Sequence, residues 1–324
     1  MIPRVKTTAA ASWLCLMSFA LQAAPPLPNE PIRPVPRVMD GDPARIALGR
    51  QLFFDRRLSR DGTIACADCH LPRYGGTDLR VPSRGVGGAQ GTIKAPTVFN
   101  ARFNIAQFWD GRAETLEKQL DGPIHNPVEM ASSWPRIIRL LKGDSRFRQA
   151  FLAAYPQGLS EAALKDALAS FERSLTTPDS PFDRWLCGDV DALGAQAKRG
   201  YRLFKSYGCI ACHQGVNLGG NLYQRMGVFG DYFKDRGGPL TPADLGRFNV
   251  TKDPADRFYF KVPSLRMVAL EKHFFHDGSA SSRDRAIQVM AHYQLGHEIP
   301  AGERRAIAAF LRSLLGHHPL LERE

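Results

Sequence analysis

The chain has 324 residues, with 43 Lys and Arg against 32 Asp and Glu, for a formal charge of +11. Its length and 44% hydrophobic content suit two folded domains rather than a disordered or fibrous chain. No basic run is interleaved with aromatics, which argues against nucleic acid, and beyond the N-terminus no apolar stretch is long enough to cross a bilayer.

The basic start Met1–Lys6, the apolar run Ala9–Ala23 and the small residues that follow predict a secretory signal peptide over 1–23, not a membrane span. The proline-rich stretch behind it predicts a tether over 24–45. Removal of the signal takes away Cys15, Arg4 and Lys6 and lowers the charge to +9. A moderately basic surface fits an acidic redox partner. Cys187 is then the only cysteine outside two short motifs. It has no partner for an intramolecular disulfide and is expected to be a small packed hydrophobe.

Those motifs are Cys66-Ala67-Asp68-Cys69-His70 and Cys209-Ile210-Ala211-Cys212-His213. C-x-x-C-H is the attachment signature of c-type haem, with two thioether bonds and the histidine on the iron. At this Cys and His content one match arises by chance in about 3 of 1,000 shuffled chains, so two are no accident. A zinc site or redox cysteine pair does not require the histidine that follows both. Covalent haem implies an oxidising compartment, the periplasm.

Between the motifs, Leu164, Leu168, Phe171 and Leu175 recur at helical spacing after Ser160, a capping residue. Pro178–Gly188 predicts the domain boundary, Ala197–Tyr207 a helix leading into the second motif, and Gly85–Gly91 and Gly215–Gly220 loops. The chain also repeats itself. Gly49-Arg50-Gln51-Leu52-Phe53 is echoed by Gly200-Tyr201-Arg202-Leu203-Phe204, and Lys94-Ala95-Pro96 by Lys261-Val262-Pro263. Phe108-Trp109-Asp110-Gly111 is echoed by Phe275-His276-Asp277-Gly278. The last two pairs stand 167 positions apart and the haem motifs 143, so the second copy carries a longer insertion. The expected fold class is all-α: two cytochrome-c-like domains, 46–180 and 181–324, each with one covalently bound c-type haem.

Further runs, Ala95-Pro96-Thr97-Val98-Phe99-Asn100, Gln107–Arg112, Asn126-Pro127-Val128-Glu129-Met130, Val262–Arg266 and Gln294-Leu295-Gly296, make the chain resemble the bacterial di-haem cytochrome c peroxidases from about Ile46 to Leu315. The resemblance implies a periplasmic homodimer that reduces hydrogen peroxide to water with electrons from a small cytochrome c or copper protein. It makes the N-terminal haem peroxidatic and the C-terminal haem the point of electron entry. His70 and His213 are then the iron ligands of the two haems. Met290 matches the methionine that closes the second haem, and Trp109 the aromatic bridge between haems. Gln119 and Glu129 match the distal pair of the first haem, where peroxide must lose a proton from one oxygen and gain one on the other. His276 falls in a family motif near the second haem and is expected to be structural or a relay.

Two departures stand out. Many relatives cap the first haem with a loop histidine, whose place in Ser83–Gly88 is taken by Val86. Valine cannot ligate iron, so the first haem is expected to be open in the oxidised protein, with His125 the nearest substitute. The family also binds calcium through an asparagine whose place is Lys94, with a carbonyl position at Glu271. An ammonium cannot ligate a cation, which puts calcium in doubt; a Lys94–Glu271 ion pair is expected instead. Other readings are the related enzyme that oxidises tryptophans of a partner protein, though it uses tyrosine at the Met290 position, an electron carrier with Met130 or His125 closing the first iron, and a haem-based sensor.

Overall fold

Two glycines decide how the halves of this chain are built. In the computed structural model, which describes residues 29–37 and 40–322, helix α1 (Pro43–Phe53) starts at Asp42, whose carboxylate accepts from the Ala44 and Arg45 amides. It is followed by the one-turn α2 (Cys66–Cys69), α3 (Leu116–Gln119) and α4 (Asp121–His125), then α5 (Trp134–Gly143), α6 (Ser145–Ala154) and α7 (Glu161–Ser174). Ser160 caps α7 through the Ala163 amide, as its position predicts. Helix α1 crosses α7 so closely that a Cβ on Gly49 would lie 1.9 Å from the Ala167 carbonyl oxygen.

The second half repeats the design. It contains α8 (Pro181–Leu186), α9 (Ala195–Ser206), α10 (Tyr232–Arg236), α11 (Phe248–Thr251), α12 (Arg283–Leu295) and α13 (Ala301–Arg312). Helix α9 crosses α13 at Gly200, where a Cβ would lie 1.9 Å from the Ala306 carbonyl oxygen. One turn further, Phe53 packs on Phe171 in the first half and Phe204 on Phe310 in the second, with ring centroids 5.2 and 5.1 Å apart. Each crossing seeds its own apolar core: Leu52, Ile137, Leu141, Phe151 and Leu164 in one, Phe182, Tyr201, Leu311 and Leu314 in the other. The longer insertion of the second copy supplies a small antiparallel pair, β1 (Tyr223–Arg225) with β2 (Tyr259–Lys261).

The halves are joined by an exchange that follows the duplication. The Lys94 amide donates to the His276 carbonyl at 2.7 Å, and the Lys261 amide to the Trp109 carbonyl at 2.8 Å. Phe108 and Phe275, just ahead of those aromatics, both take left-handed backbone, with φ of 69° and 70°. The junction is therefore two-fold in pattern, each lysine holding the aromatic segment of the other copy.

Two expectations change. In the proline-rich segment, the described residues 29–37 do not stand free as a tether. Ile32 and Val35 are buried, Ile32 in the second core, where it bridges Gly215, and Glu30 accepts from Tyr201 and Lys205. The C-terminal Leu320 and Leu321 pack in turn on the first core, so each end clasps the opposite half. Within the boundary segment Pro178–Gly188, helix α8 buries Phe182 and Leu186 in the second core. Its Asp183 binds the fully buried Arg266 at 2.7 Å, and that guanidinium also donates to the carbonyls of Val216 and Arg33. Cys187 is exposed rather than packed, since at the C-cap of α8 it points off the face that carries Phe182, Asp183 and Leu186. Met1–Ala23, with Cys15 and the signal-peptide reading, lies outside the described residues. Among the described residues no helix is long and apolar enough to cross a membrane.

Candidate active site

The second C-x-x-C-H motif opens onto a cavity of about 390 Å³. Gly208, at φ 87°, turns the chain out of α9 into the motif. Cys209, Cys212 and His213 line the cavity together with Met290 of α12 and with Trp109. The His213 Nδ1 lies 3.0 Å from the Leu218 carbonyl oxygen, which can only accept, so Nδ1 carries the proton and Nε2 keeps its lone pair. Burial lowers the imidazole's affinity for a second proton, which keeps it a neutral metal donor. Imidazole, thioether, two cysteines and a largely apolar wall fit a c-type haem. Burial also raises the Cys209 thiol to about 11, the wrong direction for a redox thiol or zinc thiolate.

The first motif has the same logic. Asp68 caps its single turn through the Ala65 amide at 2.8 Å and is held by Arg56. The His70 Nδ1 lies 3.0 Å from the Pro96 carbonyl and 3.2 Å from that of Gly76, which again leaves Nε2 for iron. Burial, with the charge of Glu172 next, raises the Cys66 thiol to about 12.

Around this motif stand the groups expected to handle protons. Glu129 is largely withdrawn from water, and burial pushes its carboxyl above the usual range against the Asn126 amide, which donates to Oε1 at 2.6 Å. The Val86 loop is folded down on it. The Val86 amide donates to the Glu129 carbonyl at 2.8 Å, Val86 is buried, and a Cβ on Gly85 would lie 2.2 Å from the Val128 carbonyl oxygen. His125 is exposed at the end of α4, edge-on to Trp134, and Met130 is buried in the first core.

Gln119 does not touch Glu129. Its amide donates to both oxygens of Glu172, at 3.0 and 3.2 Å. Glu172 is buried on α7, pairs with no cation among the described residues, and burial raises its carboxyl to about 8. Sequence reasoning missed this acid, although it sits four residues after Leu168, on the stripe that the helical spacing marks as core.

Trp109 lines the cavity of the second motif. Its indole Nε1 donates to the Lys94 carbonyl at 2.9 Å, and its ring stands edge-on to His276, with centroids 6.4 Å apart. The Lys94 ammonium forms the expected ion pair with Glu271 and also donates to Thr77 Oγ1 at 3.1 Å. His276 is buried, stacks on Phe260 and shares Nε2 with Asp244 Oδ1 at 2.8 Å. Burial opposes the charge on Asp244, but Arg236 and the surrounding donors outweigh it and hold this carboxyl well below the usual range. Arg236 also reaches Asp277, so a guanidinium fills the one cluster of metal-ligand type found among the described residues. Asp244 lies in the insertion of the second copy and has no counterpart in the first to reveal it.

Residues 43–191 match the model of the di-haem cytochrome c peroxidase family. The chain is 42% identical to the cytochrome c551 peroxidase of Nitrosomonas europaea, over 97% of this chain and 93% of that protein. It is 50% identical to the cytochrome c peroxidase Ccp of Escherichia coli over 90% of its own length, but spans only 63% of that larger protein. Among solved structures it resembles a MauG-like protein associated with microbial copper homeostasis, with a TM-score of 0.78 and 26% identity, covering 96% of this chain and 99% of that one. The chain belongs to the di-haem cytochrome c peroxidase family.

Proposed function

We propose that this chain is a periplasmic, homodimeric peroxidase that reduces hydrogen peroxide to water with electrons from a small cytochrome c or copper protein. Its cofactors are two c-type haems, and when bound they supply the redox equivalents and the iron at which peroxide is held. His70 and His213, each presenting a neutral Nε2, would bind the two irons, and Met290, which lines the same cavity as His213, would add a thioether, a ligand that favours the reduced state and would suit electron entry. Trp109, hydrogen-bonded through its indole to Lys94 and through its carbonyl to Lys261, bridges the two motifs. Glu129 takes the first proton from peroxide and returns it to the departing oxygen, while Gln119, anchored by Glu172, orients the substrate. The Lys94 ammonium holds with Glu271 the junction where a relative would use calcium.

The observation that carries this reading is Glu129, a desolvated carboxyl beside the first motif with a single amide partner, close to the Val86 loop. Because Val86 is buried on the Glu129 backbone and cannot bind iron, the first site needs no reductive release before it reacts. The test mixes fully oxidised protein with reduced donor cytochrome and peroxide, beside a sample pre-reduced at the second haem. Equal rates from the first turnover are expected. A lag abolished by pre-reduction would mean that another residue caps the first iron, His125 being the first to replace. No turnover in either sample would remove the peroxidase reading.

A further inference from the structure

The duplication places two buried lysines at the junction, and they meet different fates. Lys94 is 3% exposed and pairs with Glu271 and Thr77. Lys261, its counterpart, is 7% exposed and lines the cavity of the second motif. Among the described residues no carboxylate lies within ion-pair distance of it and no acceptor receives its ammonium; burial alone acts on it, drawing its proton affinity down to about 8. Its backbone is held by the pairing of β2 with Tyr223 and by the hydrogen bond that its amide donates to the Trp109 carbonyl.

An unpaired ammonium in an apolar wall costs several kcal/mol, so such a group persists where an anion completes it. The cavity's other cations differ: Lys94 is paired with Glu271, and the half-buried Arg283 donates to the carbonyls of Val268 and Ala269. The group that Cys209 and Cys212 are placed to bind carries two carboxylates of its own. We infer that Lys261 is the counter-ion of a propionate of the second haem, and that its charge raises that haem's reduction potential. This rests on the reading of the cavity as a haem site. The first copy satisfies its lysine with a protein carboxylate, and the second with one brought by the cofactor.

A unit charge roughly 10 Å from the iron, at an effective dielectric near 20, shifts the reduction equilibrium about tenfold. K261M should therefore lower the equilibrium constant for reducing the second haem by about tenfold, ~59 mV for one electron, in a spectroelectrochemical titration of the purified holoprotein. The first haem should move by less, and K261R should restore most of the shift. Should K261M fail to mature, K261Q makes the same comparison, keeping polarity without charge. A neutral variant whose second-haem potential equals that of the wild type overturns the inference, as does a shift that K261R fails to reverse. Haem content separates the two levels: one haem per chain in the wild type removes the cavity reading itself, whereas two haems with an unmoved potential remove only the role of Lys261.

Discussion

Lys94→Met tests whether a protein ion pair holds the junction. The side chain is 3% exposed and its partner Glu271 14%, so truncation leaves a buried carboxylate facing no cation and Thr77 Oγ1 without its donor. Removing one partner of such a pair costs about 3–5 kcal/mol, mostly the penalty of the charge left behind. For a chain of this size that is a fall in apparent Tm of roughly 6–15 °C by thermal unfolding followed at the haem bands. E271Q should cost less, because the remaining ammonium keeps Thr77. The double variant K94M/E271L should recover most of the loss, giving a coupling energy above about 2 kcal/mol in the cycle. A chelator should change neither the Tm nor the peroxide turnover of the wild type, since Glu271 is paired with an ammonium, which cannot ligate a divalent ion. The reasoning is refuted if K94M lies within about 1 kcal/mol of the wild type. It is refuted equally if chelation lowers the wild-type Tm as far as the substitution does.

Gly49→Ala and Gly200→Ala should each destabilise by about 3 kcal/mol or more, because the added Cβ would sit 1.9 Å from a carbonyl oxygen of the crossing helix; the loss is read from Tm and haem content. Glu129→Gln should cut peroxide turnover by about 10²–10⁴-fold while leaving the spectrum and potential of the second haem in place. Since burial raises the Glu129 carboxyl, wild-type turnover should fall on the acid side at a higher pH than an ordinary glutamate would give, and this limb should vanish in the variant. Glu172→Gln tests the second acid through stability. The carboxyl titrates near 4.5 unfolded and is raised to about 8 in the fold, so between those values folding takes up a proton. Wild-type stability is thus fully present below about 4.5 and is lost as pH rises toward 8. The variant should hold its denaturation midpoint across that window, and an identical slope in both proteins would assign the alkaline loss elsewhere.

Much of this site is legible in the residues because its chemistry is local. The two C-x-x-C-H runs need only a turn to present their side chains, and the capping position of Ser160 and the stripe of Leu164, Leu168 and Phe171 follow from helical spacing. The Lys94–Glu271 pair could be read because the lysine that departs from the pattern and the glutamate at its carbonyl position are complementary in charge. What escaped notice depends on which face a residue presents. Glu172 is one residue from Phe171 and shares its buried side, but a glutamate near a helix end looks solvated until α3 brings Gln119 against it. Asp244 has no counterpart in the first copy. The terminal strap read as a tether because prolines mark extended chain, while the burial of Ile32 and Val35 requires a second half to lie on. Cys187 read as core by elimination of partners, an argument that says nothing about its place on α8.

The duplication also explains why one junction can serve two different C-x-x-C-H sites. Because Lys94 and Lys261 exchange backbone hydrogen bonds with the aromatic segments of opposite copies, the geometry at Trp109 and His276 is set twice over by the main chain. Side chains there are free to diverge without loosening it. In the first copy the aromatic is an indole whose N–H is taken by the Lys94 carbonyl, leaving its ring against the second cavity. In the second copy the place is taken by an imidazole committed to Asp244, so its proton belongs to a buried ion network rather than to a substrate pocket. A symmetric backbone thus carries an asymmetric pair, one ring suited to pass charge between sites and one suited to fix a proton. Exchanging them should fail in a directional way. Trp109→His would put a smaller, titratable ring beside the Lys94 carbonyl in place of the indole, slowing electron passage between the haems while leaving each haem's own ligands untouched. Rapid mixing that follows the two haems separately reads this as slower oxidation of the second haem after peroxide reaches the first. Unchanged transfer rates would mean that electrons do not depend on the indole at this junction.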